Sequence, residues 1–262
     1  MDTVTLTTAQ GLDLFGMLAA VLWHALRIGA AIQVMPMLSG RGMPVRARLM
    51  ITLALAAAVS TLLPAPPAAA VDASTVATVL REFAVGVSIG LMLRLAFEAG
   101  RFAGELVSQG MGLSFATMAD PLTGAASPVI SQWFYIAFGL VFFGLDAHLA
   151  LVRLLFESYQ SLPIGQSLGD TSAFVAAVPA FFSTCLQAGL LMALPVMMAL
   201  LTVNLAFGVL ARAAPALNPI AIGLPVSLLV GLMLLGLLMQ QLQAPIESLF
   251  EDAFMAARGV TG

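Results

Sequence analysis

Apolar runs long enough to cross a bilayer recur from one end of this chain to the other, with little charge between them. They cover roughly residues 12–37, 49–63, 76–97, 129–156, 174–210 and 220–242. A bilayer core takes about 20 helical residues per crossing, so the pattern predicts an all-α protein of about six apolar passes. Only 9% of its 262 residues are charged, where an ordinary soluble domain carries about a quarter. A mean hydropathy of +1.04 is more than one globule of this size can hide. Disorder is excluded, because it needs low hydrophobicity and high charge, and so is a free cytosolic enzyme. What remains is an integral membrane chain, or a subunit whose apolar faces are covered by other subunits.

All ten basic residues are arginine and the net charge is −3, so no basic field exists to hold nucleic acid. The absence of lysine also removes a Walker-type nucleotide site. The opening MDTVTLTTAQ carries acid rather than a basic n-region, and the first apolar stretch reads as a retained helix, not a cleaved signal. Cys185 stands alone in an apolar run and reads as a small buried hydrophobe. The loop at residues 39–48 holds Arg41, Arg46 and Arg48 and is the best cytoplasmic candidate under the positive-inside rule. Those arginines and Arg212 are candidates for subunit contacts or anchoring.

Polar groups deep in the runs argue against a simple lipid-facing bundle. Asp13, His24, Arg27 and Gln33 lie in the first run. Arg94, Glu98, Arg101 and Glu105 fall at i, i+4, i+7 and i+11, one face of one helix. A central charge facing lipid costs about 2.5–3.5 kcal/mol on insertion scales, so this stripe is expected to face protein or water. Gly86 with Gly90, and Gly100 with Gly104, are spaced for close helix approach. Pro195 and Pro225 are expected to kink their runs, and Asn204 needs a partner. Ile246, Leu249, Phe250, Ala253 and Phe254 share one face of an amphipathic tail.

Catalytic chemistry is scarce. Residues 86–90 match G-x-S-x-G, but a nucleophile elbow needs a strand, a strained turn and a helix, and this stretch reads as continuous helix. His24 and His148 sit in no metal-ligand spacing. His148 beside Asp146 suggests a proton relay or, more simply, a helix end. No catalytic residue, metal or cofactor is expected. A secondary transporter built on helices broken at Pro195 and Pro225 is the competing class, and the lack of any Asp or Glu between Ser172 and Ala244 counts against it.

Four blocks carry a resemblance over most of the chain. They are RIGAAIQVMPMLSGRGMPVRAR at 27–48, GMGLSFATMADP at 110–121, HLALVRLLFESYQSLPIG at 148–165 and LMALPVMMALLTVNLAFGVLARAAPALNPIAIGLP at 191–225. In order and spacing they resemble the FliR family of flagellar type III export-gate subunits, with the injectisome T subunits as the nearest alternative. The resemblance implies a gate in the bacterial inner membrane, within the flagellar basal body and its MS ring. There this subunit joins FliP and FliQ, with FlhA and FlhB as cytoplasmic-side partners and unfolded export substrates passing through. It implies a P-like part at residues 1–187 and a Q-like hairpin and tail at 188–262. It also places a plug in Gly110, Met111, Gly112, Leu113, Ser114, Phe115, Ala116, Thr117, Met118, Ala119, Asp120 and Pro121. Apolar groups there suit a constriction that shuts by dewetting, methionine adapts to what passes, and the glycines supply backbone freedom.

Overall fold

The computed structural model describes residues 14–39, 43–63, 73–113, 129–165, 171–213 and 219–261. Among them are eight helices and no strand: α1 Leu14–Val34, α2 Pro36–Ser39, α3 Val45–Leu62, α4 Ala73–Gly110, α5 Val129–Gly144, α6 Ala147–Ser161, α7 Thr171–Ala213 and α8 Pro219–Thr261. Five of these are long and apolar enough to cross a membrane, and the bent α5–α6 pair raises the number to six. The all-α expectation and the number of passes are met.

Local chemistry sets the ends. Pro36 opens α2, and Pro44 precedes α3 in an extended conformation, since proline fixes φ and suits a helix start. The run at 129–156 breaks at Asp146, whose φ of 54° is left-handed. The axis turns by 68° between α5 and α6. Thus the interruption at Asp146 in the sequence is a true break. The helix of the third run continues past its apolar residues, through the charged face, and stops at Gly110. Gly112 N–H donates to the Gln109 carbonyl at 3.0 Å and Leu113 N–H to that of Ser108 at 3.1 Å, with Gly112 at φ 77°. That is a Schellman stop, in which a glycine takes the left-handed position at low steric cost. Conversely, the last run and the amphipathic tail form one 43-residue helix, with Pro225 and Pro245 inside it. The apolar face of the tail is buried at Ile246, Leu249, Phe250 and Ala253, and that burial offsets the hydrogen bond lost at Pro245.

The described residues fall into two compact units. The first draws on Met1–Arg94, His148–Ala180 and Ala253–Gly262, and the second on Leu95–Ala147 and Phe181–Asp252. In the first, Ile28, Ile32, Ala56, Val59 and Tyr159 form a buried cluster across α1, α3 and α6. Glycine spacing sets its tightest seam, because a Cβ on Gly90 would lie 2.6 Å from the Ala31 carbonyl oxygen, and one on Gly86 would collide with that of Arg27. In the second unit Phe97, Phe138, Phe142 and Phe250 pack ring on ring at centroid distances of 5.2–6.3 Å. Such edge-rich geometry suits aromatic quadrupoles. Gly104 lets α4 rest on α5, as its Cβ would sit 2.5 Å from Ser131 Cα. Both glycine pairs therefore lie at helix seams within this chain.

Candidate functional site

Two polar centres stand out in this apolar protein, one in each unit. The first is built on Arg27 of α1, whose side chain has no exposed surface. Its Nε donates to Glu82 Oε2 of α4 at 2.8 Å, Nη1 to the Ser158 carbonyl at 2.6 Å, and Nη2 to the Leu162 carbonyl at 2.8 Å. Arg81 donates to the other Glu82 oxygen at 2.8 Å and to the Pro163 carbonyl at 2.7 Å. The last carbonyls of a helix have no partner in the helix and carry its negative end. Two guanidiniums thus cap the end of α6 and the turn after it, while Glu82 neutralises one of them. Arg27 also lies 4.2 Å over the Tyr159 ring, and Tyr159 Oη donates to the His24 carbonyl at 2.8 Å. The result ties α1, α4 and α6 together.

The second centre is the root of the segment at 110–121. Gly110 ends α4 and packs on Leu200, while buried Met111 fills a notch at Gly231 of α8, where a Cβ would lie 2.7 Å from its Cγ. Asn204 of α7 donates through Nδ2 to the Gly110 carbonyl at 3.4 Å and accepts from Ser227 Oγ of α8 at 2.8 Å. The polar demand of Asn204 is met in this way. Beside it lies a cavity of about 520 Å³ lined by Gly110, Met111, Gly112, Phe207, Leu224 and Ser227 among others. Met111 and its neighbouring glycines are therefore seated on the α7–α8 hairpin. Ser114 to Pro121 lie outside the described residues.

The remaining sequence candidates scatter. Along the charged face of α4, Arg94 is exposed and Glu98, Arg101 and Glu105 are partly exposed, so this chain alone does not bury the stripe. Arg101 pairs with Glu98 at 3.6 Å, one turn apart, and stacks 4.3 Å over Tyr135. Arg48 donates to Gln33 at 2.7 Å; Arg46 and Arg212 are exposed, and Arg41 is outside the described residues. Ser88 donates to the Ala84 carbonyl within α4 at 2.9 Å, so the G-x-S-x-G match is mid-helix and forms no elbow. No group of three or more metal-ligating side chains occurs among the described residues.

Sequence reasoning missed Glu82 and Arg81. The usable signal was sign: an arginine deep in one apolar run and a glutamate deep in another must find partners. The centres also explain the blocks singled out in the sequence. Those at 27–48 and 148–165 meet at Arg27 and Ser158 in the first unit, and those at 110–121 and 191–225 meet at Gly110 and Asn204 in the second.

Long apolar helices, a buried arginine clamp and a glycine-rich segment rooted on a hairpin define a helical protein of membrane-spanning type. The chain belongs to the family of bacterial export proteins, family 1, which matches residues 18–253. It is similar to flagellar biosynthetic protein FliR of Escherichia coli strain K12, 35% identical over 232 residues and 88% of each chain. The same protein of Pectobacterium carotovorum is 34% identical over 247 residues, 94% of each chain. That of Bacillus subtilis strain 168 is 29% identical over 242 residues, covering 91% of this chain and 92% of the relative.

Proposed function

We propose that this chain is a non-enzymatic, pore-forming subunit of the flagellar type III export gate in the bacterial inner membrane. Family membership and relatives named flagellar support the export role and favour it over the injectisome alternative. In this reading the chain assembles with FliP and FliQ around a channel, against FlhA and FlhB, inside the basal body. Residues 1–187 act as the P-like part and 188–262 as the Q-like part. The charged face of α4 then meets a neighbouring subunit or the aqueous channel.

The observation that carries the closing role is the rooting of Gly110–Gly112 on the hairpin by Asn204 and by Met111 in its glycine notch. A segment anchored at a helix stop, with apolar residues following it, suits a plug that blocks ions by dewetting and yields to a passing chain. Deleting residues 110–119 tests it by ion leak and small-solute entry in cells that assemble the gate. Leak with retained assembly is expected. A tight membrane with normal export overturns the plug.

A further inference from the structure

The second unit holds another opening, a groove of about 580 Å³ between α7 and α8. Leu191 and Pro195 line it from α7, and Gln241, Pro245, Ser248 and Asp252 from α8. Its chemistry is set by the prolines. Proline has no N–H, so the carbonyl four residues earlier loses its helical partner. Those carbonyls belong to Leu191 and Gln241, and both residues line the groove. The hydroxyl of Ser248 is already spent on the Pro245 carbonyl at 3.0 Å. Asp252 makes no hydrogen bond or ion pair with a described residue. Asp252 and the two freed carbonyls thus add acceptors to a groove whose apolar lining is exposed Leu191 over buried Met192, Leu238, Leu242 and Leu249, and an unmet acceptor among apolar groups is costly.

We infer that this groove is a docking site for a helix of a different subunit, which inserts an arginine or lysine side chain toward Asp252 and the two proline-freed carbonyls. A guanidinium or ammonium offers only donors, which is the complement the groove requires. A second copy of this chain docking by the same face would bring Asp252 to Asp252, which disfavours a symmetric pair and leaves a basic helix of another subunit as the complement. The inference rests on the proposed membership of a mixed assembly.

A photo-crosslinking residue at Ser248, in the complex as assembled in its own membrane, tests this by mass spectrometry of the adduct. The expected adduct is a peptide of another subunit with Arg or Lys within about one helical turn of the attachment point. Asp252→Arg then lowers co-purification of that subunit by at least about tenfold, and changing the partner's basic residue to Asp restores it. Asp252→Asn, which keeps the shape, gives a smaller loss in the same direction. A lipid adduct, an adduct to a copy of this chain, a peptide without a basic residue, or unchanged co-purification of both variants overturns the docking site. Isolation of the chain with no other subunit bound overturns the mixed assembly itself, a result distinct from those.

Discussion

Glu82 is the residue whose loss the first polar centre should tolerate least. It is fully buried between two guanidiniums, so the centre carries two positive charges and one negative. Glu82→Gln keeps the shape but leaves two buried cations facing each other. Removing one partner of a buried pair costs about 3–5 kcal/mol. Arg27→Met is a different loss, because Glu82 keeps Arg81 at 2.8 Å. It orphans the Leu162 carbonyl, at about 1–3 kcal/mol, and removes a desolvated cation over Tyr159, at about 2 kcal/mol. Burying the apolar Met returns part of that. In the double variant the second cation is gone, so the repulsion created by Glu82→Gln is relieved. The combined cost should fall short of the sum by about 2 kcal/mol, within the usual range for coupled neighbours. The assay is thermal unfolding of the chain purified in detergent with its partners. For a chain of this size about 1 kcal/mol moves Tm by roughly 2–4 °C, so Glu82→Gln should lower it by roughly 6–20 °C. Arg153→Gln, which breaks a pair whose arginine is 78% exposed, should change little. Costs that simply add to within about 0.5 kcal/mol would refute charge coupling at this centre.

Gly104→Ala should destabilise strongly, since its Cβ would sit 2.5 Å from Ser131 Cα; Gly236→Ala, with nothing within 4 Å, should stabilise by about 1 kcal/mol through helix propensity. Both are read as Tm shifts in that assay, and equal shifts would remove the seam argument. Gly112→Ala should cost about 1–2 kcal/mol at its left-handed φ, and Gly112→Asn less; ion leak that tracks this order would tie the helix stop to closure. Phe250→Ala should cost about 3–5 kcal/mol by opening the ring cluster with Phe97, Phe138 and Phe142, whereas Phe250→Leu should cost less in the same measurement.

What was legible in the sequence was local. The one-face spacing of Arg94, Glu98, Arg101 and Glu105 follows from helical periodicity, and the two glycine pairs from their four-residue step. The break at Asp146 showed as polar residues interrupting a run. Long-range pairing was hidden, because Arg27 and Glu82 are 55 positions apart and hydropathy counts each as an isolated defect. Two helix boundaries were not legible from composition for a related reason. Apolar content continues past Gly110, yet Gly112 stops α4; Pro245 resembles a breaker, yet burial of Ile246, Leu249 and Phe250 carries α8 through it. In both cases backbone geometry or tertiary burial outweighed composition.

Helix length gives a reason, independent of resemblance, for this protein to need neighbours. On α7 the exposed large apolar residues recur from Phe182 to Leu210, 28 steps or about 42 Å at 1.5 Å per residue. A hydrocarbon core is about 30 Å thick. At the mean tilt of spanning helices, about 20°, that face projects through about 39 Å. Lipid alone therefore leaves part of it in water, where apolar surface costs about 25 cal/mol per Å². The remaining apolar length has to be covered by protein. The high hydropathy of this chain thus reflects contact with other subunits as well as with the bilayer.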